Sequence, residues 1–288
     1  MLAAPKEFSF VSNTENLISY FDRAKKQIEK SNDVHFDLSE INKLTPDAIA
    51  LLVARVADRR FRGPRTLSGS APTDEKLRDM FAESGFYDHV RSQMPKRPHP
   101  QKLLLHRVSN NRVEPDLAKK ACEVAVTNTF RRNEKFQPLY EILIECMSNT
   151  NNDAGLDRQG SRNWWLYVYY DSESGISHFA FLDLGVGVFG SLPVQTFRRS
   201  TLFGTRQIPN KDLFPKLLSG EISSRTERKE RGRGFPQIYL HAQNQQIKNF
   251  VIISNDAYAH LPERNYKELK KELNGTFFYW ELHPRVVG

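Results

Sequence analysis

Residues 140–149 read Tyr-Glu-Ile-Leu-Ile-Glu-Cys-Met-Ser-Asn. Ile142, Leu143 and Met147 recur at helical spacing and form an apolar face. Glu145 and Asn149 are four apart, so on a helix they are neighbours one turn away on another face. A carboxylate beside a carboxamide can orient a water and complete a magnesium shell, because magnesium takes oxygen ligands and keeps several waters. Taken alone, the pair also reads as a solvated helix face with a cap residue at its end.

Outward from this helix, expected over Pro138–Asn149, the second part of the chain alternates helices and strands. Pro115–Thr127 reads as a helix with Pro at its start. Trp164–Tyr170, His178–Asp183, Phe250–Ser254 and Thr276–Leu282 are aromatic or β-branched and read as strands. Asp183-Leu-Gly185-Val-Gly187 directly follows one of them. Its glycines let the backbone approach a flat ligand or a phosphate. The Asp can accept a hydrogen bond from an exocyclic amine, although the motif alone also reads as a turn. Gly232-Arg233-Gly234-Phe235 leads into a helix expected over Pro236–Gln243. Glycines at a helix start can present N–H groups to phosphate. Asn274-Gly275-Thr276 precedes the last strand, and Asn-Gly is first of all a hairpin turn. The stretch 188–231 is poor in regular pattern and reads as a long functional loop.

In this order the four motifs resemble the ATP-binding domain shared by gyrase B, the heat-shock 90 chaperones, histidine kinases and mismatch-repair ATPases, the Bergerat or GHKL fold. The resemblance covers 112–286. It implies a two-layer α/β sandwich with ATP and Mg2+ held between sheet and helices under a lid. Glu145 matches the family's general base and Asn149 its magnesium-binding asparagine. Asp183 matches the residue that reads the adenine amine, supported by Thr276. Gly185 and Gly187 match the glycines beside base and ribose, and Gly232 and Gly234 those that wrap the phosphates. Arg206, Arg225, Arg228, Lys229, Arg231 and Arg233 fall in or beside the lid, as candidates to reach the γ-phosphate. The chain departs from the family three residues after the asparagine. There Asn152 takes the place of an acidic residue, and Asp153-Ala154 follows one position later.

The first part reads as a smaller α/β domain, 1–105. Val34–Leu38 alternates like a strand, Asn13–Glu29 and 73–84 read as helices, and Pro46 opens a helix behind Thr45. Residues 34–52 (VHFDLSEINKLTPDAIALL) resemble the STAS domain of anti-sigma-factor antagonists, and 63–87, ending in Ser84-Gly85-Phe86, suit its later strand and helix. That family carries a phosphorylatable serine at the helix start. Asp47 stands in its place, as a mimic of the charge or simply as a residue favoured by the helix dipole. The resemblance implies a docking module for a protein partner. The connection Arg91–Lys102 is rich in proline and cations and nearly devoid of apolar residues.

The 288 residues, 39% hydrophobic and 26% charged, exclude a disordered chain. No apolar run approaches the ~18 residues of a membrane span, and the start lacks a signal-peptide pattern, so a cytoplasmic setting is expected. Cys122 and Cys146 suffice for neither a disulfide framework nor a Cys-rich zinc site. The net charge is +8. It divides evenly, with 18 basic and 14 acidic residues up to residue 110 and 24 and 20 after it. With no basic arm, nucleic acid is a disfavoured partner. Trp164, Trp165 and Tyr167 alternate in a strand and suit a core better than a base-stacking platform. The leading expectation is a Mg-dependent ATPase whose nucleotide state switches the lid and the STAS-like domain. A serine/threonine kinase of the anti-sigma type and a non-catalytic ATP-binding interaction protein are the alternatives, and a homodimer is compatible with each. None of the eight histidines lies on a long heptad helix, which counts against a histidine kinase.

Overall fold

The computed structural model describes residues 1–30, 33–63, 65–91, 102–109, 113–153, 162–192, 198–201, 204–222, 234–261 and 263–285. The chain is mixed α/β and divides into two compact units. The first is Met1–Leu105 with Trp165–Tyr169, and the second is His106–Trp164 with Tyr170–Gly288. Most of the expected connection Arg91–Lys102 lies outside the described residues. No described helix is long and apolar enough to cross a membrane.

The first unit runs β1 (Leu2–Ala3), β2 (Glu7–Phe8), α1 (Thr14–Glu29), β3 (Val34–Asp37), β4 (Lys43–Leu44), α2 (Pro46–Ala57), α3 (Arg59–Arg62), β5 (Leu67–Ser70) and α4 (Glu75–Glu83). Three parallel strands lie in the order β1-β3-β5, and β2 pairs with β4. Helix α1 buries Leu17, Ile18, Phe21, Ala24 and Ile28, a helical-period stripe. Helix α2 is buried on every side over its first nine residues, as its apolar run requires. The Asp74 side chain caps α4 by accepting from the Leu77 amide at 2.9 Å, and Gly85 at φ 84° ends it.

Asp47 is not a surface charge. It is 2% exposed, and its Oδ2 accepts the amides of Phe10 at 2.6 Å and Val11 at 2.8 Å. Burial pushes its carboxyl above the ordinary range, while these hydrogen bonds pull the other way. A mimic of an exposed phosphoserine is therefore ruled out at this position, because the side chain faces its own fold.

The later elements are β6 (Lys102–Ser109), α5 (Pro115–Phe130), α6 (Gln137–Asp153), β7 (Arg162–Asp171), β8 (Ile176–Asp183), α7 (Gly187–Gly190), β9 (Arg198–Thr201), β10 (Gly204–Gln207), α8 (Asn210–Ser219), α9 (Gly234–Ala242), β11 (Ile247–His260) and β12 (Asn265–Leu282). Five strands form one sheet in the order β11-β12-β8-β7-β6, and β12 is antiparallel to both its neighbours. Stacked rings fill its core: Trp280 lies 5.0 Å from Phe179 and 5.4 Å from Phe250, and Trp164 lies 5.4 Å from Phe181. Trp164, Trp165 and Tyr167 are buried, as a core role requires. Cys122 in α5 and Cys146 in α6 are buried free thiols.

Two expectations need correction. The stretch 188–231 is not a plain loop, since its described part holds the β9–β10 hairpin and helix α8. Leu213, Phe214, Leu217 and Leu218 make α8 amphipathic, and Phe214 packs edge-on to Phe189 at 4.9 Å. Asn274-Gly275 is not a hairpin turn either. It lies inside β12, where the register to β11 shifts between Ser254 opposite Thr276 and Asn255 opposite Leu273. Gly275 has φ +125°, and a Cβ there would stand 2.0 Å from the Asp183 carbonyl oxygen. Glycine is required for this bulge for the same reason it favours turns.

Candidate functional site

Helix α6 seats Glu145 and Asn149 by burying the residues around them. Ile142, Leu143, Cys146 and Met147 are fully buried, which leaves Glu145 and Asn149 half-buried on the other side. Burial, and next the Glu141 charge, push the Glu145 carboxyl above its usual value. The Asn149 Nδ2 is buried with no hydrogen-bond partner. An unsatisfied buried amide is costly and asks for an explanation.

Helix α9 begins against this pair. A Cβ on Gly234 would lie 2.8 Å from Asn149 Oδ1 and 3.0 Å from Glu145 Oε2, so a glycine keeps the helix start close to both side chains. The next residue, Phe235, is 6% exposed and stacks on Phe278 at 6.1 Å.

Asp183 ends β8 at 6% exposure and is the register partner of Thr276 on β12. Its Oδ1 accepts the Gly185 amide at 2.8 Å, which folds the first turn of the DxGxG loop. Gly187, at φ 77°, opens α7. Asn149, Asp183, Gly187, Val188, Phe235, Thr276 and Phe278 together line one narrow, nearly closed cleft of about 10 Å³, room for a single water. Residues far apart in the chain thus converge from α6, β8, α7, α9 and β12. Among the described residues no cluster of three His, Cys, Asp or Glu side chains could hold a metal by itself.

Not every candidate joins the cleft. Gly185 contributes its amide to Asp183 and does not line it. Asn152 falls in the last turn of α6 and Arg206 in β10, and only their backbone course is described. Gly232, Arg233, Arg225, Arg228, Lys229 and Arg231 lie outside the described residues.

The structure adds residues that the motifs did not mark. Ser254 is fully buried and accepts the Val188 amide at 2.9 Å. Asn255, at φ 51°, accepts the Phe189 amide at 3.2 Å and donates to the Val186 carbonyl at 3.0 Å. A Cβ on Gly187 would meet Asn255 Oδ1 at 2.2 Å. This pair clamps the DxGxG loop from β11, two strands away from β8 in the sheet. Its only sequence signal is a polar Ser-Asn break directly after the apolar run Phe250–Ile253. No protein-family model matches the chain, and no curated protein matches it.

Proposed function

We propose that the second unit is a nucleotide-binding domain of the Bergerat type that binds ATP with magnesium and hydrolyses it. The observation that carries this reading is the convergence of Asn149, Asp183, Gly187 and Thr276 on one cleft, with the Gly234 start of α9 resting on Glu145 and Asn149. The orphaned Asn149 amide sits where a ligand would complete its bonding, and its carboxamide oxygen is a suitable magnesium ligand. Among the described residues no cluster of His, Cys, Asp or Glu could complete the shell, so phosphate oxygen and water would fill most of it. When bound, magnesium neutralises charge on the phosphates.

The chain's own residues do the rest. Asp183, as a carboxylate, accepts from an exocyclic amine. The N-terminal amides of α9 face the phosphate side. Glu145 takes the proton of the attacking water. Phe235 narrows the cleft, so entry of a base requires α9 to move, as lids do. The first unit, read as a STAS-like docking module, carries the nucleotide state to a protein partner.

Glu145→Ala tests the reading. ATP binding should persist, seen as a rise in melting temperature with ATP and Mg2+, while phosphate release falls about 10²–10⁴-fold. Hydrolysis at the normal rate in that variant sinks the catalytic assignment. The base works only when deprotonated, and burial raises its pKa. Turnover should therefore rise with pH through a value above 4.5, and Glu141→Gln should move that limb to lower pH.

A further inference from the structure

Ser254 is held at full burial among four polar groups. The Val188 amide donates to its Oγ at 2.9 Å. The Gly275 carbonyl lies at 3.0 Å, Thr276 Oγ1 at 3.2 Å and Asn255 Oδ1 at 3.3 Å. A hydroxyl has one proton and two lone pairs. The proton goes to the Gly275 carbonyl, the nearest acceptor at 3.0 Å against 3.3 Å for Asn255 Oδ1. One lone pair takes the Val188 amide. The other faces Thr276, so the Thr276 hydroxyl is the donor in that contact.

The consequence falls on the cleft. With its proton directed at Ser254, the Thr276 hydroxyl has only lone pairs left to offer the space that Thr276 lines with Asp183. Asp183 as a carboxylate also only accepts. We propose that Ser254 sets the proton direction at Thr276 and thereby makes this wall select a 6-amino purine over a 6-oxo purine. An amine supplies two N–H donors to two acceptors. A ring carbonyl in the same place leaves buried acceptors facing each other, a mismatch that recognition sites discriminate strongly. Ser254 does not line the cleft, so it is a positioning residue. The inference rests on the nucleotide reading of the cleft.

Calorimetric binding of ATP and GTP, each with Mg2+, to the full chain tests it. The wild type should prefer ATP. In Ser254→Ala the Thr276 hydroxyl is released to donate, and the preference should fall at least tenfold. Asn255→Gly keeps the left-handed backbone and removes the loop clamp. It should weaken both nucleotides alike and leave the preference unchanged. If Ser254→Ala does not fold, Ser254→Cys, whose thiol is a weak acceptor and donor, carries the same expectation. An unchanged preference in the Ser254 variant, or an equal loss of preference in Asn255→Gly, overturns this proposal alone. A wild-type chain that binds neither nucleotide overturns the ATP reading as well.

Discussion

Asp47 in the first unit and Asp183 in the second are both nearly buried, at 2% and 6% exposure, yet they face different things. One oxygen of Asp47 gathers two backbone amides of the loop before α1. Asp183 accepts the Gly185 amide of its own turn and lines a cleft shared by residues from four other elements. Burial of a carboxylate therefore marks no site by itself. The difference lies in where the side chain's surroundings come from: the loop before α1 and the neighbouring Thr45 in the first case, a convergence of several elements on a narrow cleft in the second.

The largest effect expected is the loss of turnover in Glu145→Ala, about 10²–10⁴-fold, with the fold intact. Next is Gly275→Ala. Its methyl would collide with the Asp183 carbonyl at a φ of +125°, so urea unfolding should show a loss of about 3 kcal/mol. ATP affinity should fall with it, and a midpoint equal to wild type would show that the bulge does not hold Asp183.

Asp47→Ala should cost about 2 kcal/mol, since it strands the Phe10 and Val11 amides. Here nucleotide affinity should not change. A loss of ATP binding in this variant, measured by calorimetry, would mean that the two carboxylates are not separable in function.

The smallest effect concerns Glu281. Burial raises its pKa, but bonds from His283, Tyr279 and Asn249 outweigh that and hold it below the usual 4.5. A depressed folded pKa contributes stability above the unfolded value that is lost as pH falls through the folded one. The melting temperature should drop on the acid side, and Glu281→Gln should flatten that drop by about 1 kcal/mol. An unchanged acid slope would assign the loss to other carboxylates.

Much of this arrangement was legible in the residues. The apolar face of Ile142, Leu143 and Met147 orients Glu145 and Asn149, and the strand before Asp183 delivers it to the C-terminal end of β8. Periodicity carries both, because each depends on local burial. Asn274-Gly275 misled for a physical reason: a bulge and a hairpin turn both ask for positive φ, and only pairing across β11 and β12 tells them apart. Helix α8 was missed because Pro215 lies inside it and its apolar stripe is only two turns long. Ser254 and Asn255 carry no motif spacing. Their roles exist through bonds to residues 21 to 69 positions away.

Cys146 adjoins Glu145 in α6, and burial pushes its thiol well above the ordinary value. Alkylating reagents attack thiolates they can reach, so the intact chain should resist them. Modification then requires the helix to leave the core, and its rate becomes a clock for that opening. A ligand that binds only the closed form slows the clock by one plus the ratio of its concentration to its Kd. The molecule thus carries, one residue from its candidate base, a built-in reporter of how firmly the cleft is held together.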